Sequence, residues 1–128
     1  MGKSAGPHHP LGEVRACLAD PGRASVARST AAEMIAVHFG WDYARCVAFA
    51  KKVVRGLTEE NFFRRTIMRD GTPADEYGVV REGISWYVKL FITESPTRLL
   101  IVSCHLPQWD IPTPAGIVTC TQRGLRKR

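Results

Sequence analysis

The stretch Ile84-Ser85-Trp86-Tyr87-Val88-Lys89-Leu90-Phe91-Ile92-Thr93 carries the clearest local signal in the chain. Strand side chains alternate with a period of two. Trp86, Val88, Leu90 and Ile92 therefore share one face, and Tyr87, Lys89 and Phe91 the other. Ser95-Pro96-Thr97 can turn the chain into Leu99–His105, a β-branched run that reads as a partner strand. Upstream, Arg64–Met68 is short and β-compatible, Asp70-Gly71-Thr72-Pro73 is a turn cluster, and Tyr77–Arg81 reads as a further strand. Strands joined this closely predict an antiparallel sheet.

Before residue 63 the period is helical. Leu11, Val14 and Leu18 recur at helix spacing with Cys17 beside them, and Asp20-Pro21-Gly22 ends that segment. Thr30-Ala31-Ala32-Glu33 has the form of a capping box, so a helix is expected to run to about Phe39 and stop at Gly40. Asp42 reads as the next cap. Behind it Tyr43, Cys46, Val47, Ala50 and Val54 form a core-facing stripe, with Arg45, Lys52 and Arg55 turned away and Gly56 as the stop. Thr58-Glu59-Glu60-Asn61 predicts one more short helix. Helices first and strands after predict an α+β fold, N-terminal helices on a small antiparallel sheet. Residues 1–10 read as a flexible arm, 11–106 as a single domain, and 107–128 as a Pro-rich, irregular, basic C-terminal extension.

A chain of 128 residues fits one domain, and 45% apolar with 23% charged residues is close to the globular average. That composition excludes wholesale disorder and collagen-like repeats. The longest apolar runs fall far short of the ~20 residues a membrane span needs. Residues 1–12 contain no apolar segment of the kind that heads a secretory signal, so a cytoplasmic protein is expected. The formal charge is +6, but Arg123, Arg126, Lys127 and Arg128 supply four of those charges, leaving only +2 for everything before Arg123. Cys17, Cys46, Cys104 and Cys120 form no Cys-x-x-Cys pair and read as buried, reduced thiols. Neither a metal site nor a cofactor motif is legible, and none is expected.

What remains is a set of polar residues on the expected sheet. Tyr87 and Lys89 share a strand face, His105 ends the next strand, and Arg64 opens the first. If these strands are neighbours, the four converge on one concave face, a set that suits metal-free RNA cleavage. That reaction needs proton transfer at the ribose 2′-hydroxyl and the leaving 5′-oxygen, and fixed cations around the phosphorane. Histidine is the usual proton carrier near neutral pH, arginine forks onto phosphate oxygens, and tyrosine can stack on a base. Plainer readings stand beside these. Tyr87 is also a normal amphipathic edge of a core, Lys89 a solvated residue, Arg64 a partner for Glu59 or Glu60, and His105 a strand end near the surface. Trp86 reads as core, and His8 and His9 as tail residues without a fixed site. No helix shows the spacing of a DNA-recognition helix.

The order of these features resembles the MqsR (motility quorum-sensing regulator) toxins of bacterial type II toxin–antitoxin systems. The likeness runs over about residues 7–106. It includes Pro7-His8 with Leu11 and Val14, then Arg28-Ser29, and then Gly56-Leu57-Thr58-Glu59-Glu60-Asn61-Phe62-Phe63-Arg64. Asp75-Glu76-Tyr77, Tyr87-Val88-Lys89 and Leu100-Ile101-Val102-Ser103 complete it. The resemblance implies a RelE-like fold and a metal-independent, sequence-selective mRNA endoribonuclease without cofactor. It also implies a cognate antitoxin that binds the toxin, any DNA contact arising only through that partner. Carried over by position, it makes Arg64, Tyr87 and His105 catalytic, with Lys89, Tyr77 and Arg65 binding substrate. Lysine is common in the family where this chain has Arg64 and His105. A family glutamine falls on Ala74 or, with the alignment shifted, on Glu76.

Overall fold

A computed structural model describes residues 6–120 of the chain. The first helix, α1 (Leu11–Leu18), buries Leu11, Val14, Cys17 and Leu18, the spacing expected of it. A single 3₁₀ turn at Pro21–Arg23 then leads into a short strand, β1 (Ala24–Val26). Thr30 does not cap a helix. Its hydroxyl donates to the Val102 carbonyl, and Arg28–Ala32 form a wide π-helical turn running into α2 (Glu33–Phe39). A contact to a distant strand has displaced the local capping box. Gly40 closes α2 at φ 76, a backbone angle glycine adopts without a Cβ clash.

Asp42 behaves as read: its Oδ1 accepts the Arg45 amide at 2.8 Å and opens α3 (Tyr43–Arg55). The buried stripe of α3 is Cys46, Ala50, Val53 and Val54. Tyr43 lies outside it, exposed, with the Arg28 guanidinium 4.6 Å above its ring. Thr58 and Asn61 cap a one-turn helix at Glu59–Asn61.

Four long strands follow: β2 (Phe62–Ile67), β3 (Pro73–Arg81), β4 (Ile84–Glu94) and β5 (Thr97–His105). They pair antiparallel in sequence order, each to the next. The five-stranded sheet has the order β1-β5-β4-β3-β2, and β1 lies parallel to β5 with Ser25 opposite Leu100. The sheet is therefore mixed rather than purely antiparallel. Three residues, Ala24-Ser25-Val26, are too few to show a period of two, and their partner lies some seventy-five positions away.

Two bulges shape the sheet. Between β2 and β3 the pairs Phe62–Tyr77 and Arg64–Glu76 leave Phe63 as the extra residue. Between β4 and β5, Lys89 faces Ser103 and Leu90 faces Ile101, leaving Val102 extra. One sheet face packs on the helices, burying Trp86, Val88, Leu90, Tyr77, Val79 and Ile101 almost completely.

The expected irregular extension is ordered over part of its length. Strands β6 (Ile111–Thr113) and β7 (Gly116–Val118) form a hairpin against the other sheet face. Ile111 is fully buried there, and the Ala115 amide donates to the Glu60 carbonyl at 3.0 Å. The prolines interrupt longer strands without preventing this short pairing. Residues 121–128, which hold the basic cluster, lie outside the described residues. The arm is also tied down near the domain: the His8 and His9 amides donate to the two carboxylate oxygens of buried Asp75 at 2.8 and 2.9 Å. Among the described residues no helix is long and apolar enough to cross a membrane.

Candidate functional site

The sheet face away from the helices carries two polar rows, set by strand register. One row runs Gly78, Tyr87, His105 across β3, β4 and β5. The next runs Arg64, Glu76, Lys89, Ser103 across β2 to β5. Directly opposed residues have Cβ atoms about 5 Å apart, so neighbours within each row are in reach of one another. The bulge at Phe63 is what turns Arg64 to this side. Without that extra residue, Arg64 would fall on the helix-facing parity of β2.

Glu76 is the hub. It is 2% exposed, and its Oε1 lies 3.3 Å from Arg64 Nε. That contact is close in distance but does not have hydrogen-bond alignment, since Oε1 has no hydrogen-bond partner. The Arg64 side chain stays 55% exposed and lies over the Phe63 ring, 4.7 Å from its centroid. Burial pushes the Tyr87 phenol well above the usual tyrosine range. The Glu76 charge and a hydrogen bond to its carboxylate push the same way, while Arg64 opposes them. Tyr87 is thus a neutral hydrogen-bond donor at physiological pH.

His105 sits across from Tyr87 with ring centroids 5.1 Å apart. Its Nδ1 is 2.9 Å from the Leu106 carbonyl oxygen, which can only accept. Nδ1 therefore carries the proton, and Nε2 is the nitrogen left for exchange. His105 and Lys89 are both half-buried.

A roof covers part of this surface. Ile111 and Val118 of the hairpin cluster with Tyr87 and Phe63, and Tyr87 is only 8% exposed. Ile111 rests so closely on Gly78 that a Cβ there would come within 2.9 Å of its Cγ2. Trp109 adds a ring 6.1 Å from Tyr87.

Of the six residues singled out in the sequence, four meet on this face: Arg64, Tyr87, Lys89 and His105. Two do not. Tyr77 is fully buried on the helix-facing side against Phe62, 5.6 Å between rings, so it is a core residue and cannot touch a ligand. Arg65 is exposed but faces Asp75 across the strands and belongs to that same opposite parity.

Glu76 enters the sequence reading only as the alternative position of a family glutamine. Starting β3 at Tyr77 left it outside the strand, whereas the observed start at Pro73 puts it two residues from Gly78 on the polar side. Among the described residues no group of three His, Cys, Asp or Glu side chains converges to hold a metal ion. Cys17, Cys46, Cys104 and Cys120 are all buried, and burial pushes the Cys104 thiol up to about 12. No protein-family model matches this chain, and no curated protein matches it either.

Proposed function

We propose that this protein is a metal-independent endoribonuclease that cuts mRNA and so inhibits translation. In this reading it is the toxin of a type II toxin–antitoxin pair, MqsR-like with a RelE-like fold and cytoplasmic. The observation that carries the reading is the pairing of His105 with Tyr87 beside the Arg64–Glu76–Lys89 row on one sheet face.

In the reaction the ribose 2′-oxygen attacks phosphorus and the bond to the 5′-oxygen breaks. Arg64 and Lys89 hold the phosphate oxygens, where fixed cations matter most as charge develops. His105 Nε2 takes the proton from the 2′-hydroxyl and delivers it to the leaving 5′-oxygen, giving a 2′,3′-cyclic phosphate and a free 5′-hydroxyl. Tyr87, covered by Ile111, is a positioning residue: it packs on the imidazole and donates toward Glu76. Arginine at position 64 keeps its charge and suits phosphate binding better than proton transfer, which leaves that work to His105. The test is cleavage of mRNA by the purified chain in EDTA. A His105→Ala, Tyr87→Ala double variant that cuts as fast as the parent overturns the assignment.

The covered state of Tyr87 favours a second reading, a binding module that docks an antitoxin or RNA without cutting it. Expression of the chain separates the two, since a pure binder does not arrest growth through mRNA loss.

A further inference from the structure

Beyond the polar rows, a cavity of about 700 Å³ opens where the end of β5 meets α2. Its walls include Met34, Val37 and His38 of α2, then His105, Leu106 and Gln108. We propose that this cavity is a nucleobase subsite, holding the unpaired base next to the scissile phosphate and selecting its identity. The inference rests on the ribonuclease reading and extends it to substrate choice.

Three observations carry it. The volume lies within the ~300–1,000 Å³ range of small-ligand sites. His105 belongs to both places: its ring faces Tyr87 across the strands and also lines the cavity, with Nδ1 tethered to Leu106. Lys89 lies on the strand next to His105, so a nucleotide whose phosphate Lys89 holds has the cavity wall as its neighbour on the β5 side. The lining also suits a base. Met34 is 42% and Val37 83% exposed, although Ile35 between them is fully buried, so α2 turns an apolar strip outward here. His38 is held by ring contacts to Phe39 at 4.6 Å and Trp86 at 5.7 Å. A base presents a π face to such walls and a polar edge to be read. Gln108, exposed, carries both an amide donor and an acceptor for that edge. A peptide partner would use the apolar strip but has no need of the link through His105.

The test uses the full chain and a panel of short single-stranded oligoribonucleotides that differ only in the nucleotide adjoining the cleaved bond. One set carries 2-aminopurine there for fluorescence. The parent protein is expected to prefer one base by roughly tenfold, the worth of about one hydrogen bond to the base edge. Gln108→Ala flattens that preference by slowing the best substrate, and Val37→Glu raises KM with little change in kcat. Both positions are exposed, so folding is retained.

Uniform cutting of the panel by the parent overturns the proposal, as does an unchanged preference and KM in both variants. Variants that cut RNA normally but lose neutralisation by an antitoxin also overturn it, assigning the cavity to a protein partner. If the parent binds the labelled RNA without cutting it and both variants weaken that binding, the subsite stands while the cleavage reading falls. If the parent neither binds nor cuts, both fall.

Discussion

The two faces of β4 differ by one residue in register and by almost everything else. Trp86, Val88 and Leu90 point into the helices and are sealed, while Tyr87 and Lys89 point toward a hairpin that covers one and leaves the other half-open. The first face holds the fold together through buried apolar area, at roughly 25 cal/mol per Å². The second carries charges, a neutral phenol and an imidazole. Apolar packing and the polar rows are thus separated across the thickness of one strand, so they are open to separate perturbation.

The sharpest break in that comparison is chemical. On the proposed ribonuclease reading, His105→Ala is expected to slow mRNA cleavage by about 100- to 10,000-fold, the range for loss of a general acid–base group, with little change in urea midpoint. A comparable fall in both quantities would mean that His105 is structural. On the opposite face, Trp86→Ala is expected to cost about 3–5 kcal/mol, because the emptied space cannot collapse, as read from urea unfolding.

Gly78→Ala probes the roof. A methyl group at that position meets Ile111, so the hairpin must shift at about 1–3 kcal/mol, and hydrogen exchange of the 111–118 amides should quicken while the helices stay protected. Unchanged exchange would place the contact elsewhere.

Alkaline pH acts mainly through the sealed face. Cys104 is raised from 9.0 to about 12 in the folded protein, so above about pH 9 the unfolded chain sheds a proton that the folded chain keeps. Stability is therefore full below that pH and falls as pH rises toward 12, by about 1 kcal/mol near pH 10. Tyr77 and Tyr87 add to the loss at higher pH, since burial raises both. Cys104→Ala should flatten the first part of the slope in a series of urea melts.

The smallest effect belongs to Lys89→Met. Losing one phosphate contact should lower the slope of log affinity for single-stranded RNA against log salt by about 0.7. An unaltered slope would remove Lys89 from the phosphate row.

Legibility followed the range of the forces involved. The alternation from Ile84 to Thr93, the helix stop at Gly40 and the cap at Asp42 are effects of a residue on its own turn or strand, and the structure reproduces each. Thr30 shows where such reading ends, because a hydroxyl suited to a local cap is used instead by Val102. Tyr77 and Tyr87 look alike as strand tyrosines. The length of β3 and its pairing with β4 decide that one is core and the other lies over Glu76.

By itself, the order of residues determined an α+β protein with a two-faced central strand and a short list of polar candidates. Only the tertiary structure decided that β1 would pair parallel with β5, that Glu76 would stand between Arg64 and Tyr87, and that the hairpin at 111–118 would roof the site. The reason is physical. Periodicity and capping act over a few residues, whereas bulge register and the burial of Ile111 on Gly78 depend on surfaces that exist only after distant segments have packed.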